Sequence, residues 1–89
     1  MPDTRDPEDI RVGATIKALR DAHGLKLGEL AVALDKSHAY LSNIEAGRKA
    51  APMPLCRQIA DLLRIPLAAI TVADYAEIRE AAEKAKAAA

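Results

Sequence analysis

Apolar residues recur along this chain at spacings of three and four, and each series is closed by a residue that stops a helix. The first series is introduced by Asp6-Pro7-Glu8-Asp9. Asp6 suits an N-cap, Pro7 suits the first helical position, where a missing N–H costs nothing, and the two acids face the positive end of the helix dipole. Val12, Ile16, Leu19 and then Ala22 or His23 form the inward stripe, and Gly24 ends it, which predicts a helix over about 7–23.

Leu27, Leu30, Ala31 and Leu34 predict a second helix over 27–34, ended by Asp35, a residue type that tolerates the left-handed conformation. Ser37 is an N-cap for a third helix over 38–46, with Tyr40, Leu41 and Ile44 inward and Gly47 as its stop. The short link between the two leaves too little chain for an antiparallel return. They must cross steeply, as a helix-turn-helix. Pro52 and Pro54 open a fourth helix whose inward residues are Met53, Cys56, Ile59, Ala60 and Leu63; Pro66 ends it, and Leu67 to Ile70 add one turn.

The rest of the chain is polar and alanine-rich, with Glu80/Lys84 and Arg79/Glu83 each four apart, as on an exposed helix. Tyr75, Ile78 and Ala82, with Ala85 and Ala89, fall on an approximate heptad seam. They either meet a second protomer, or Val72, Tyr75 and Ile78 fold back on their own domain. Three parts result: an acidic segment and helix cap (1–9), a domain (10–70) and a helical tail (71–89).

Composition supports an all-α fold. Half of the 89 residues are apolar, yet only two are aromatic, and alanine, leucine and charged residues dominate. No apolar run approaches the roughly 18 residues that cross a bilayer, and the acidic N-terminus does not resemble a signal peptide, so a soluble, cytoplasmic protein is expected. Cys56 with His23 and His38 offers no zinc-site spacing and no nucleophile constellation; no metal, cofactor or catalytic residue is expected. The net charge of zero conceals unlike parts. Residues 1–9 hold one basic and four acidic side chains, residues 10–66 hold nine against five, and residues 67–89 hold three against four. Between Lys36 and Arg57 lie four cations and the single acid Glu45.

Several further residues then fall into place: Val12-Gly13, Ile16 and Leu19-Arg20; Gly24-Leu25; Glu29-Leu30-Ala31 and Leu34; Ser37, Tyr40-Leu41-Ser42 and Ile44-Glu45; Gly47-Arg48-Lys49; Ile59-Ala60, Leu63, Ile65-Pro66-Leu67 and Ile70. In this order, ungapped over about two-thirds of the chain, they resemble the helix-turn-helix DNA-binding domains of phage repressors, Cro proteins and their bacterial relatives (the XRE-like family). The resemblance implies a five-helix bundle of the lambda-repressor type, to which the tail is added. Three departures stand out. Lys26-Leu27 replaces the usual Ser or Asn and Gln at the start of the second helix, Asp35-Lys36 replaces Gly and an apolar residue in the turn, and the proline after Gly47 is displaced to Pro52.

By that resemblance, Ser37, His38, Ala39, Ser42 and Asn43 face base edges in the major groove of double-stranded DNA. Asn43 has the donor and acceptor that read adenine, His38 a donor for guanine, and Ala39 a methyl for thymine. Lys26, Lys36, Tyr40, Arg48 and Lys49 are expected at phosphates, which set register and affinity but carry no sequence information. Arg20 and Glu45 are expected to pair across the first and third helices, Gly13 to serve close packing, and Cys56 to fill core. The acidic residues 1–9 are expected to add nothing to DNA binding or to oppose it. The function implied is a small phage or bacterial repressor acting as a homodimer on a two-fold operator. The alternative is an adaptor or antitoxin-like protein that binds a protein partner through its C-terminal helix.

Overall fold

The computed structural model describes residues 4–71, and the tail positions Tyr75, Ile78 and Ala82 lie outside them. Five helices follow one another: α1 (Pro7–Ala22), α2 (Leu27–Leu34), α3 (His38–Glu45), α4 (Met53–Leu63) and the single turn α5 (Ala68–Thr71). Asp6 caps α1, its carboxylate accepting from Glu8 N–H at 2.7 Å, and Ser37 caps α3, its Oγ accepting from Tyr40 N–H at 3.0 Å. At α2 the cap is half built. Glu29 Oε1 accepts from Lys26 N–H at 2.8 Å, but an ammonium cannot accept in return.

All four longer helices end alike. Gly24, Asp35, Gly47 and Arg64 take left-handed backbone with φ of 69°, 55°, 76° and 55°. The next residue's N–H then reaches five positions back: Leu25 to Arg20 at 3.1 Å, Lys36 to Ala31 at 2.9 Å, Arg48 to Asn43 at 3.0 Å and Ile65 to Ala60 at 3.0 Å. Arg64 rather than Pro66 therefore stops α4, since the hydrogen bonds turn back before the proline is reached.

Ile16, Leu30, Leu41, Ile44, Ile59 and Ile70 are sealed at the centre of one core, with Leu19, Leu34, Leu55, Cys56 and Leu63 around them. Two inward assignments change. Met53 is 45 % exposed and Leu55 is buried in its place, because α4 settles on the stripe 55, 56, 59, 60 and 63 rather than the equally helical stripe through 53. Ala22 and His23 are exposed, since the last turn of α1 projects past the core; His23 Nδ1 donates back to the Leu19 carbonyl at 2.8 Å.

Helix α3 is seated on α1 at backbone distance. A Cβ on Gly13 would stand 2.2 Å from the Ile44 carbonyl oxygen, and one on Gly47 would stand 2.6 Å from Ile10 Cα. Neither position admits a side chain.

Candidate nucleic-acid interface

The orientation of α3 is fixed by a buried ion pair. Arg20 Nε donates to Glu45 Oε2 at 2.7 Å and Nη2 to Glu45 Oε1 at 3.0 Å, a two-pronged geometry that admits one relative placement of the helices. The side chains are 9 % and 7 % exposed. Arg20 Nη1 also donates to the Leu25 carbonyl at 2.7 Å and lies 3.1 Å from Asp21 Oδ1, so each guanidinium nitrogen has a partner. Its hydrogen bonds to the Glu45 carboxylate hold the Arg20 guanidinium charged, raising its pKa against the opposing effect of burial.

With Leu41, Ile44 and Glu45 turned inward, the opposite side of α3 carries His38, Ala39, Ser42 and Asn43. They are not equivalent. His38 and Ala39 are exposed, while Ser42 and Asn43 are half-buried on opposite flanks. Ser42 lines a cleft of about 320 Å³ with Lys17, Arg20, Leu27, Glu45 and Ala46. His38 lines a broad, open and mainly apolar groove of about 710 Å³ with Lys26, Leu27, Gly28, Glu29 and Val32, a residue that is 83 % exposed. The Ser37 oxygen is occupied by its helix cap, which leaves its hydroxyl proton free to donate.

Cations stand along both flanks of this face. On the α2 side are Lys26, beside His38, and Lys17, which the sequence reading did not single out. On the other side, the Lys36 and Lys49 ammonium groups lie 5.8 Å and 4.9 Å from the centroid of the half-buried Tyr40 ring. At the C-terminal end, Arg48 Nη1 lies 3.5 Å from Asn43 Oδ1. Arg5 Nη1 donates to the Ala46 carbonyl at 2.6 Å, so the segment before α1 touches the end of α3. No motif signalled that contact, which joins residues 41 positions apart.

Helix termination accounts for part of this charge. The residue after each left-handed terminator commonly packs against its helix. Leu25 and Ile65 do so, half-buried against the core, but the same position after α2 and α3 holds exposed Lys36 and Arg48. Arg57 lies exposed on α4. The acids Asp35 and Asp61 share a recess with Ala33, Leu34, Gln58 and Leu62, which no α3 residue lines.

Cys56 is buried, its Sγ 3.9 Å from the Ala51 carbonyl oxygen, and burial pushes its thiol up. Among the described residues no three metal-ligating side chains converge, and no helix is long and apolar enough to cross a membrane.

Residues 11–71 match the model of a family described as a helix-turn-helix domain. No curated protein matches the chain. Among solved structures, it is similar to the clp gene regulator ClgR of Corynebacterium glutamicum. One ClgR structure is 31 % identical over 73 % of this chain and 84 % of that one, with a TM-score of 0.68. A second is 26 % identical over 94 % and 89 %, with a TM-score of 0.72. A hypothetical transcription factor from Neisseria, NHTF, shares the fold at 16 % identity over 89 % and 94 %, with a TM-score of 0.71.

Proposed function

The chain belongs to the helix-turn-helix domain family of the repressor and Cro type, and from this we propose that it is a sequence-specific DNA-binding regulator of transcription. The observation that carries the proposal is the face of α3. A ridge of small and polar side chains stands between Lys26, at the cap of α2, with Lys17 of α1 on one side and the cations of the turn and exit loop on the other. A helix in the major groove has phosphate chains along both sides, and this arrangement of charge matches them.

In this reading Ser37, His38, Ala39, Ser42 and Asn43 face base edges, with His38 and Ala39 the most projecting. Lys26, Lys36, Arg48 and Lys49 meet phosphates, and Arg20 with Glu45 holds the angle of α3 without touching DNA. Leu27 cannot supply the polar contact that the family usually makes at the start of α2. Lys26 supplies a point charge there, beside the free N–H groups of the helix end. Two copies on a two-fold site are required because one such domain reads about half a site, and the protein acts as a repressor by occupying its operator. That ClgR is named as a gene regulator favours the same reading.

The test is Arg48→Glu with Lys49→Glu, both exposed. The expected result is loss of duplex binding by about a hundredfold or more at moderate salt with the melting temperature nearly unchanged. Unaltered binding would overturn the assignment of this face and favour the alternative of a protein partner.

A further inference from the structure

The lysines beside Tyr40 come from different parts of the chain. Lys36 lies in the turn before α3 and Lys49 in the loop after it, yet both ammonium groups rest within 6 Å of the same ring centroid. Two like charges with long, flexible stems have no electrostatic reason to gather. The ring supplies one, because the negative face of an aromatic attracts each ammonium. The ring is itself held, since Tyr40 packs against the core on the turn of α3 that carries Leu41 and Ile44.

From this juxtaposition we infer that Lys36, Tyr40 and Lys49 form a single clamp for the phosphodiester backbone of duplex DNA, in which the tyrosine acts through its ring rather than its hydroxyl. The inference rests on the reading of α3 as the DNA-facing helix and gives Tyr40 a positioning role in place of the direct phosphate contact expected from the sequence. Tyr40 is a positioning residue. It holds two cations from separate loops on one flank of α3, so that less side-chain freedom is lost when phosphate arrives. Because phosphates carry no sequence information, the clamp adds affinity on every duplex equally.

The experiment is a cycle of variants of the full chain, titrated at several salt concentrations with two probes: the duplex that wins selection from a random pool, and a scrambled duplex of the same length. Tyr40→Leu is expected to weaken both complexes by about three- to tenfold, while Tyr40→Phe stays within about twofold of wild type. Lys36→Gln with Lys49→Gln is expected to reduce the steepness of log affinity against log salt by about 2 per bound copy, and adding Tyr40→Leu to that pair changes nothing more. Three results would each overturn the clamp: a loss with Tyr40→Phe equal to that with Tyr40→Leu, the same Tyr40→Leu loss with and without the lysines, or an unchanged salt slope in the lysine pair. Wild-type protein that binds neither duplex would instead overturn the parent reading. Should Tyr40→Leu fail to fold, the methylene proton resonances of Lys36 and Lys49 decide. They are shifted upfield by the ring in wild type and in Tyr40→Phe if the clamp is right, and sit at free-lysine positions if it is wrong.

Discussion

At the scale of residues, the pair Arg20–Glu45 is both the most buried charge and the most constrained contact in the described chain. Removing one partner strands the other charge out of water, so Arg20→Ala or Glu45→Ala should cost about 3–5 kcal/mol in urea unfolding, with loss of DNA binding following from loss of fold. A cost under about 1 kcal/mol would show that the pair is dispensable. Cys56 gives a pH-dependent prediction. Its thiol is raised by burial, so the folded state disfavours the thiolate, and the stabilisation is fully present below the unfolded thiol's pKa of about 8.5 and falls as pH rises past it. The stability of wild type relative to Cys56→Ala should therefore decline between about pH 8 and 10, and a constant difference would contradict it. Arg20, Glu45, Gly13, Asp6 and Ser37 were legible in the sequence, the caps from local chemistry and the others through the family pattern. Arg5 on Ala46 and the lysines on Tyr40 were not, because each contact depends on how distant segments approach in space.

At the scale of elements, helix endings distinguish packing from function. Gly24 and Gly47 suit the left-handed backbone, whereas Arg64 adopts it with a Cβ in the way. Arg64→Gly should raise stability by about 0.5–1 kcal/mol in thermal or urea unfolding, and a destabilised variant would mean that Arg64 makes a contact worth more than its backbone costs. Lys36 should behave in the opposite sense with respect to function. Lys36→Leu restores an apolar residue after the terminator, so stability should rise by about half a kcal/mol while duplex affinity falls. Element positions were readable because periodicity and stops agreed for α1, α2 and α3, with side-chain caps marking the starts of α1 and α3. The phase of α4 was not, since stripes through Met53 or Leu55 fit a helical period equally well and only the approach of the core selects between them.

At the scale of the whole molecule, zero net charge misleads, because the charge that bears on function is local. Glu8 and Asp9 sit in the first turn of α1, Asp35 and Asp61 in the recess by α4 and Glu45 in the buried ion pair; Glu29 lines the groove beside His38, but Lys17, Lys26, Lys36, Arg48 and Lys49 outnumber it along the flanks of α3. The regulator proposed above should therefore form a sequence-specific, salt-sensitive complex with DNA as two copies of the chain. The most direct test is selection of bound duplexes from a random pool, followed by titration of the winning site against scrambled DNA over a range of salt. The expected result is a palindromic site preferred by about a thousandfold or more, with affinity falling steeply as salt rises. Weak binding without sequence preference would contradict it.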